Sequence, residues 1–513
     1  MMGFVRDPDD DSPKEACGVF GVFAPNQPVA HMTYLGLYAL QHRGQESAGM
    51  AVSDGIDVTV VKDMGLVAHV FNERTLAPLV GHLAIGHTRY STTGSSTWRN
   101  AQPVYRGIVG HQFALGHNGN LVNTGELAEA AGMLPGMIAS DSDLVAELIE
   151  QELERDPSGS LEGALEVVLP TLEGAFSLVF MDEDQVIGVR DPNGFRPLCL
   201  GKLEQGGWVL ASESPALDVV GADFVREIDP GEMVIIDKDG VRSVRPFPAE
   251  RLNPKLCLFE FVYFARPDTR LYGKSVHFAR VRQGELLAEQ APVEADMVMG
   301  VPESGLPAAE GYARASGIPY GQGLVKNRYI GRTFIAPSQE MRALGVRMKL
   351  NPLKENLQGK RVVVVDDSVV RGTTQKQLVK MLRESGVKEV HLRLTSPPIK
   401  WSCFYGIDTG ERNELLAANL EIDEIRQYLN VDSLAFITLD RLIASTGTSG
   451  SGFCDACFTG NYPVAVPVSL TKGVLEPADA AGGVGCDPSP VGMGNQGLFG
   501  SSLLPADEAR RGQ

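Results

Sequence analysis

A chain of 513 residues suffices for two or three domains of ordinary size, and 43% hydrophobic residues can fill large cores. Its formal charge of −18, from 46 basic and 64 acidic residues, excludes general nucleic-acid binding, which needs a positive footprint. There is no apolar run of membrane-spanning length, no secretory signal core in MMGFVRDPDDDSPKEA, and only 7 cysteines, so no membrane contact, a cytoplasmic location and reduced or metal-bound thiols are expected.

In chain order, residues 1–16 are polar and read as a removable leader. From Cys17 to about residue 236 the pattern is rich in strands. CGVFGVFA (17–24), GMAVSDG (49–55), LAIGHTRYST (83–92), FALGHNGNLV (113–122), FSLVFMD (176–182), VIGVRD (186–191) and WVLASES (208–214) end in turn-forming residues. Residues 144–153 and 161–172 have helical apolar spacing. Strands beside packed helices predict a layered α+β domain over 17–245. The character changes across the turn-rich 237–255. Helical 276–291, strand-and-loop 297–305, helical 308–317, strand 361–368, helical 375–386 and strand 387–396 then alternate. That order predicts a parallel sheet with helices on both faces over 255–475. Residues 476–513 are rich in glycine and read as a disordered tail.

The segment RVVVVDDSVVRGTT (361–374) carries the strongest signal in the second half. A continuous β-branched run predicts a strand buried on both faces. Asp366 and Asp367 follow at its carboxyl end, where open α/β sheets place ligands. The next loop opens a helix, so its amides converge on one point and suit a phosphate. Two adjacent carboxylates there suit sugar hydroxyls and a divalent cation. A lone acidic pair would be an ordinary helix cap. The whole string resembles the signature of type I phosphoribosyltransferases. That resemblance implies that Asp366 and Asp367 bind the ribose hydroxyls. It also implies that Arg371, Gly372, Thr373 and Thr374 cradle the 5-phosphate, with Ser368 also binding the donor. GVPESG (300–305) resembles the pyrophosphate loop of the same family, with Ser304 joining Asp366 and Asp367 around Mg²⁺. KNRYIGRTFI (326–335) resembles its closing loop, with Lys326 and Arg332 facing the phosphoribosyl pyrophosphate donor.

In the first half, Cys17 is followed by QHRGQESAGM (41–50), GHTRYSTTG (86–94), HNGNLVN (117–123) and SDSDLVAEL (140–148). Together these resemble the N-terminal-nucleophile glutamine amidotransferases, whose domain is an αββα sandwich. A thiol that attacks an amide needs a base to take its proton. If the leader is cut before Cys17, the freed α-amino group, with an ordinary pKa of about 7.7–8.0, is suited to that role. The resemblance further implies that Arg89 grips the glutamine carboxylate and Asp141 its ammonium. Asn118 and the Gly119 amide would form the oxyanion site.

With RDPNGFRPL (190–198), FEFVYFARPD (259–268) and FCDACFTGNYP (453–463), the combined pattern resembles the glutamine phosphoribosylpyrophosphate amidotransferases over about residues 17–475. The family makes 5-phosphoribosylamine, glutamate and pyrophosphate at the first committed step of purine synthesis. It implies feedback by AMP and GMP and a homo-oligomer, commonly a tetramer. A sugar-phosphate aminating enzyme would need a different second half, and a regulator sensing the donor would need a DNA-binding module. Cys454 and Cys457 form a CxxC, and Cys257 and Cys403 stand far from it. Spacing alone leaves structural zinc and an iron–sulfur cluster open. The contexts of the four cysteines resemble the iron–sulfur, leader-bearing branch of the family, which implies a structural 4Fe–4S cluster.

Overall fold

The computed structural model describes residues 17–90, 97–108, 110–134, 138–327, 349–448 and 452–467, all within one compact unit. The expected leader, Arg332 with most of its loop, and the tail lie outside the described residues.

Two antiparallel sheets form the first half. One has seven strands in the order Ala222–Glu227, Cys199–Leu203, Trp208–Ala211, Gly18–Phe23, Leu83–Arg89, Ser47–Ser53 and Val58–Met64. The other has six, in the order Gly240–Val244, Met233–Asp237, Val186–Arg190, Gly174–Met181, His111–Leu121 and Val104–Ile108. Period-two alternation divides their side chains. Val19, Ile85, Val179, Val186 and Val234 fill the space between the sheets. Phe20 and Val22 face outward toward the helix Val29–Ala39. Phe113, Leu115 and Phe180 face the helices Asp141–Arg155 and Leu161–Val168 on the other side. The result is the expected αββα sandwich. Gly36 lets the first helix lie on the sheet, since a Cβ there would meet the Phe20 ring.

The second half is built on a parallel sheet ordered Met297–Gly300, Arg361–Asp366, Glu389–Leu394 and Ser433–Phe436. The β-branched run explains itself here. Val363 and Val365 enter the core beneath the helices Val276–Gln290 and Leu306–Ser316. Val362 and Val364 enter the opposite core with Leu378 and Leu382 of the helix Thr373–Glu384.

Several details differ from the sequence expectation. The helix expected over 161–172 ends at Val168, where Pro170 lacks the N–H that a further turn needs, and a 3₁₀ turn follows. The helix after the phosphate loop begins at Thr373 rather than at residue 375. Helix Val29–Ala39 and strands such as Val58–Met64 and Gly240–Val244 have no counterpart in that expectation. The helix is apolar on most of its circumference, and those strands have mixed exposure.

Helices Val276–Gln290 and Leu306–Ser316 approach at glycine. A Cβ on Gly284 would lie 1.8 Å from the Ala308 carbonyl oxygen, and one on Gly311 would lie 1.9 Å from that of Val281. Backbone cannot retreat as a flexible side chain would. Gly284→Ala is therefore expected to destabilise by at least about 1–3 kcal/mol, the range for overpacking. Urea unfolding of the variant beside the native protein checks this, and an unchanged midpoint would show that the helices separate without cost.

Candidate active sites

One small cavity in the first half is lined by Cys17, Arg89, Gly119 and Asp141 together with Tyr90, Gln102, His117, Ser140 and Ser142. Residues from segments far apart in the chain thus converge. Cys17 sits just before the strand Gly18–Phe23. Its thiol donates to the Tyr90 carbonyl at 3.3 Å and lies 3.4 Å from the Tyr90 N–H. Burial pushes the thiol up to about 11, against smaller opposing effects of that carbonyl and of Arg89. The unassisted sulfur is therefore neutral near pH 7. Arg89 ends the strand Leu83–Arg89 and is buried. Asp141 is the first residue of its helix, where the positive end of the helix dipole favours a carboxylate. Burial raises its pKa, but His117 and the Leu121 and Ser142 amides outweigh that and hold it below the ordinary value.

Gly119 lines the cavity, whereas Asn118 does not. By strand alternation Asn118 shares the inter-sheet face with Ala114. It is fully buried, and both polar atoms of its side chain lack a hydrogen-bond partner. An unsatisfied buried amide costs roughly 1–3 kcal/mol, so this one stands ready for a partner. Sequence reasoning missed Gln102. Its amide donates to Ser142 Oγ at 2.9 Å, and its carbonyl accepts from the His117 N–H at 2.7 Å. Lys62 Nζ in turn donates to the carbonyls of Ala101 and Pro103 at 2.6 and 3.1 Å. Gln102-Pro103 carries no motif signal, because its role exists only once three strands assemble.

Behind Cys17 lies a buried cluster of charges that joins the two halves. Arg43 Nε donates to the Cys17 carbonyl at 3.2 Å, and Arg43 Nη2 donates to Glu260 at 2.8 Å. Arg43 also pairs with Glu213. Arg196 reaches Glu260 at 3.3 Å, and Glu213 accepts from His42 at 2.8 Å and from the Arg266 N–H at 3.0 Å.

In the second half, Asp366 ends its strand and Asp367 follows, both buried. Burial raises both carboxylates, and for Asp366 the neighbouring Asp367 adds to the rise. Ser304 Oγ and Ser368 Oγ donate to Asp367, each at 2.5 Å. Gln375, also missed, donates to Asp366 at 3.4 Å and to the Ser368 carbonyl at 3.0 Å. A helix-start glutamine has no signature until the loop folds back over it. Gly372 caps the following helix at φ 81, with Thr373 and Thr374 as its first residues. The Arg371 guanidinium is paired with Glu414 at 2.8 Å. Lys326 is exposed on the strand Leu324–Lys326.

The four cysteines also meet. Cys257 and Cys454 are register partners on adjacent parallel strands. Cys403 and Cys457 pack against the same apolar core. Burial raises Cys257 to about 11, and Cys454 and Cys457 rise too, each thiol disfavouring ionisation of its neighbours. Among the described residues, no group of three or more His, Cys, Asp or Glu is arranged as it stands around one ion. The donor set nonetheless suits iron or zinc, being all thiol in a nearly dry pocket beside the Arg196 guanidinium.

A thiol in an αββα sandwich beside Arg and Asp, joined to a parallel sheet with a buried acidic pair and a phosphate-type loop, defines a glutamine amidotransferase fused to a phosphoribosyltransferase. Family models agree: a glutamine amidotransferase domain matches residues 87–219, and a phosphoribosyl transferase domain matches residues 284–395. The amidophosphoribosyltransferase of Mycobacterium leprae is 56% identical over 495 residues, which is 93% of this chain and 88% of that one. The solved structure of the allosteric regulatory enzyme of purine biosynthesis superposes with TM-score 0.83 at 44% identity, covering 90% of this chain and 99% of that one. The glutamine phosphoribosylpyrophosphate amidotransferase of B. subtilis, complexed with ADP and GMP, gives TM-score 0.82 at 44% identity over 89% of this chain and 100% of that one. The chain belongs to the amidophosphoribosyltransferase family. Its activity is glutamine-dependent amination of phosphoribosyl pyrophosphate in purine biosynthesis. No helix among the described residues is long and apolar enough to cross a membrane.

The charge cluster makes acid stability testable. Burial would raise the Glu213 carboxyl, but His42 and Arg43 outweigh it and hold the group well below the ordinary range. A depressed carboxyl stabilises above its unfolded pKa of about 4.3 and loses that contribution as pH falls further. Glu213→Gln is expected to cost about 3–5 kcal/mol near pH 7, the range for breaking a buried pair. It should also flatten the decline of Tm below about pH 4. An equally steep acid limb in the variant would place the titration elsewhere.

Proposed function

We propose that the two activities divide between the two buried sites. The convergence of Cys17, Arg89, Gly119 and Asp141 on one cavity is the observation that carries this assignment. Arg89 holds the carboxylate of glutamine by its planar fork, and Asp141 holds the ammonium. The Cys17 sulfur attacks the side-chain amide. The amide oxygen takes on negative charge, which the Gly119 N–H and the Asn118 carboxamide stabilise. Ammonia leaves, and water releases glutamate from the sulfur.

The base in this scheme is the α-amino group of Cys17, freed by loss of residues 1–16. Burial already makes the thiol a weak acid, so a base at the sulfur itself is the simplest source of the thiolate. In the second site, Asp366 and Asp367 accept from the ribose hydroxyls. Ser368 and the Arg371–Thr374 loop hold the 5-phosphate, and Lys326 and Arg332 complete the closing loop. Ammonia from the first site then displaces pyrophosphate. Ser304, Asp366 and Asp367 would hold Mg²⁺, which neutralises pyrophosphate charge when bound. Two buried carboxylates with raised pKa values fit a cation. Cys257, Cys403, Cys454 and Cys457 would hold a 4Fe–4S cluster with a structural role. The contexts of the four cysteines, which resemble the iron–sulfur branch of the family, favour the cluster over a single zinc. Purine nucleotides such as AMP and GMP regulate the enzyme, which works in the cytoplasm as a homo-oligomer.

Active enzyme is expected to begin at Cys17. Cys17→Ala should lose glutamine use entirely while still making phosphoribosylamine from free ammonia. Steady-state assays with both nitrogen sources and an intact mass decide this. An active chain with its leader attached, or loss of ammonia use in the variant, would contradict the two-site division.

Anaerobically purified protein is expected to be brown, with roughly four iron and four acid-labile sulfide per chain. Cys403→Ser should lose both. A colourless protein with stoichiometric zinc would replace the cluster by a metal centre.

A further inference from the structure

The segment 404–406 belongs to the phosphoribosyltransferase half, yet three hydrogen bonds tie it to the glutaminase half. Asn120 Nδ2 donates to the Phe404 carbonyl at 3.0 Å. Arg196 Nε and Nη2 donate to the Tyr405 carbonyl at 3.1 and 2.6 Å. The Tyr405 ring stacks on Phe195, with centroids 4.4 Å apart and planes 16° apart. Its hydroxyl donates to the Val464 carbonyl at 2.5 Å and accepts from the Val464 N–H at 3.0 Å. Gly406 follows at φ 98, and a Cβ there would lie 3.1 Å from both the Cα and the carbonyl carbon of Gly119.

Gly119 is thereby packed from two directions. A Cβ on Gly119 would meet the Ala175 carbonyl oxygen at 1.9 Å, so the neighbouring strand closes one side. Gly406 closes another. Glycine is the residue with the widest backbone freedom, and Gly119 stands at φ 153. An oxyanion donor works because it does not reorganise as charge develops. A glycine amide in that role needs restraint from outside its own backbone.

We propose that Phe404, Tyr405 and Gly406 form a positioning element for the glutamine half-reaction, holding the Gly119 peptide in place from the other half of the chain. The proposal rests on Gly119 serving as an oxyanion donor. These residues do not touch glutamine and act through the Gly119 backbone and the Asn120 side chain. The glutaminase site is then complete only when the second half is docked.

Two variants disturb the element differently. Gly406→Ala adds a methyl against Gly119 at a backbone angle that alanine resists. Asn120→Ala removes the carboxamide that holds the Phe404 carbonyl. Each is expected to lower glutamine-dependent kcat by about 10- to 100-fold, as a displacement near 1 Å does. KM for glutamine should stay within about threefold, because Arg89 and Asp141 are untouched. Ammonia-dependent synthesis and the rate of Cys17 alkylation by iodoacetamide should stay within about twofold, since neither depends on the oxyanion site. Asn118→Ala is the control for the underlying reading. If it turns over glutamine like the native enzyme, the oxyanion assignment fails and the proposal with it. If Asn118→Ala is impaired while Gly406→Ala and Asn120→Ala are not, the positioning role alone is overturned. Equal loss of glutamine and ammonia activity in both variants would also overturn it, by making the segment a general structural support.

Discussion

Arg43 is 1% exposed, and its guanidinium touches three groups at once: the carbonyl of Cys17, Glu213 of the first half and Glu260 of the second. Removing such charges from water costs several kcal/mol per ion and is recovered only where geometry is good and every proton is placed. Arg43, Glu213, Glu260 and Arg196 approach that condition as one cluster, in which Glu260 accepts from both arginines. Apolar contact between the halves would tolerate sliding. This cluster does not, so it fixes the register at which the phosphoribosyltransferase half meets the strand bearing the nucleophile.

The same docking explains why motifs separated by hundreds of residues share one neighbourhood. The Glu260–Phe264 turn supplies Glu260 to the arginines, while the carbonyls of Phe261 and Ala265 accept from Arg280. Arg280 is buried among Asp367, Glu213 and Glu260, whose charges favour its ionised form although burial brings it down to about 10. One short helical turn thus lies between the thiol's support and the ribose-type acidic pair. A rigid connection of that kind suits an enzyme whose first product must reach its second site.

What the sequence made legible follows from how local each signal is. Val362–Val365 announced a strand buried on both faces because four β-branched residues in a row admit little else, and the cores on its two sides bear that out. A layered α+β first half and the βαβ alternation of the second were likewise legible, since both depend on periodicity, whereas the αββα arrangement came from the family resemblance. Gln102, Gln375 and Gly406 were not. Each acts through a partner more than five residues away in sequence, and nothing in the neighbouring residues marks it. The helix Val29–Ala39 escaped for another reason: its exposed face carries Leu35 and Tyr38, so apolar residues run all round it and no amphipathic stripe marks it. The resemblance marked Arg371 as a phosphate-loop cation but gave no sign of its pairing with Glu414, which lies 43 residues away in another turn.

Burial acts in the same direction at all three sites. The Cys17 thiol is pushed up to about 11, the Cys257 thiol likewise, and Asp366 and Asp367 both rise, with desolvation the largest cause each time. A buried acid held neutral is a poor nucleophile or ligand until positive charge arrives beside it. At Cys17, in the scheme proposed above, the α-amino group would become that charge by taking up the thiol proton. At the acidic pair the proposed Mg²⁺ would supply it, and at the thiols the proposed cluster would. Burial therefore does more than shape these pockets. On that reading each pocket would depend on a cation beside it, and chemical competence would follow completed assembly. An acidic protein with a charge of −18 has reason to be built this way. Ionised carboxylates near its ligand sites would repel the anionic donor, and burial, by favouring their neutral forms, works against that repulsion.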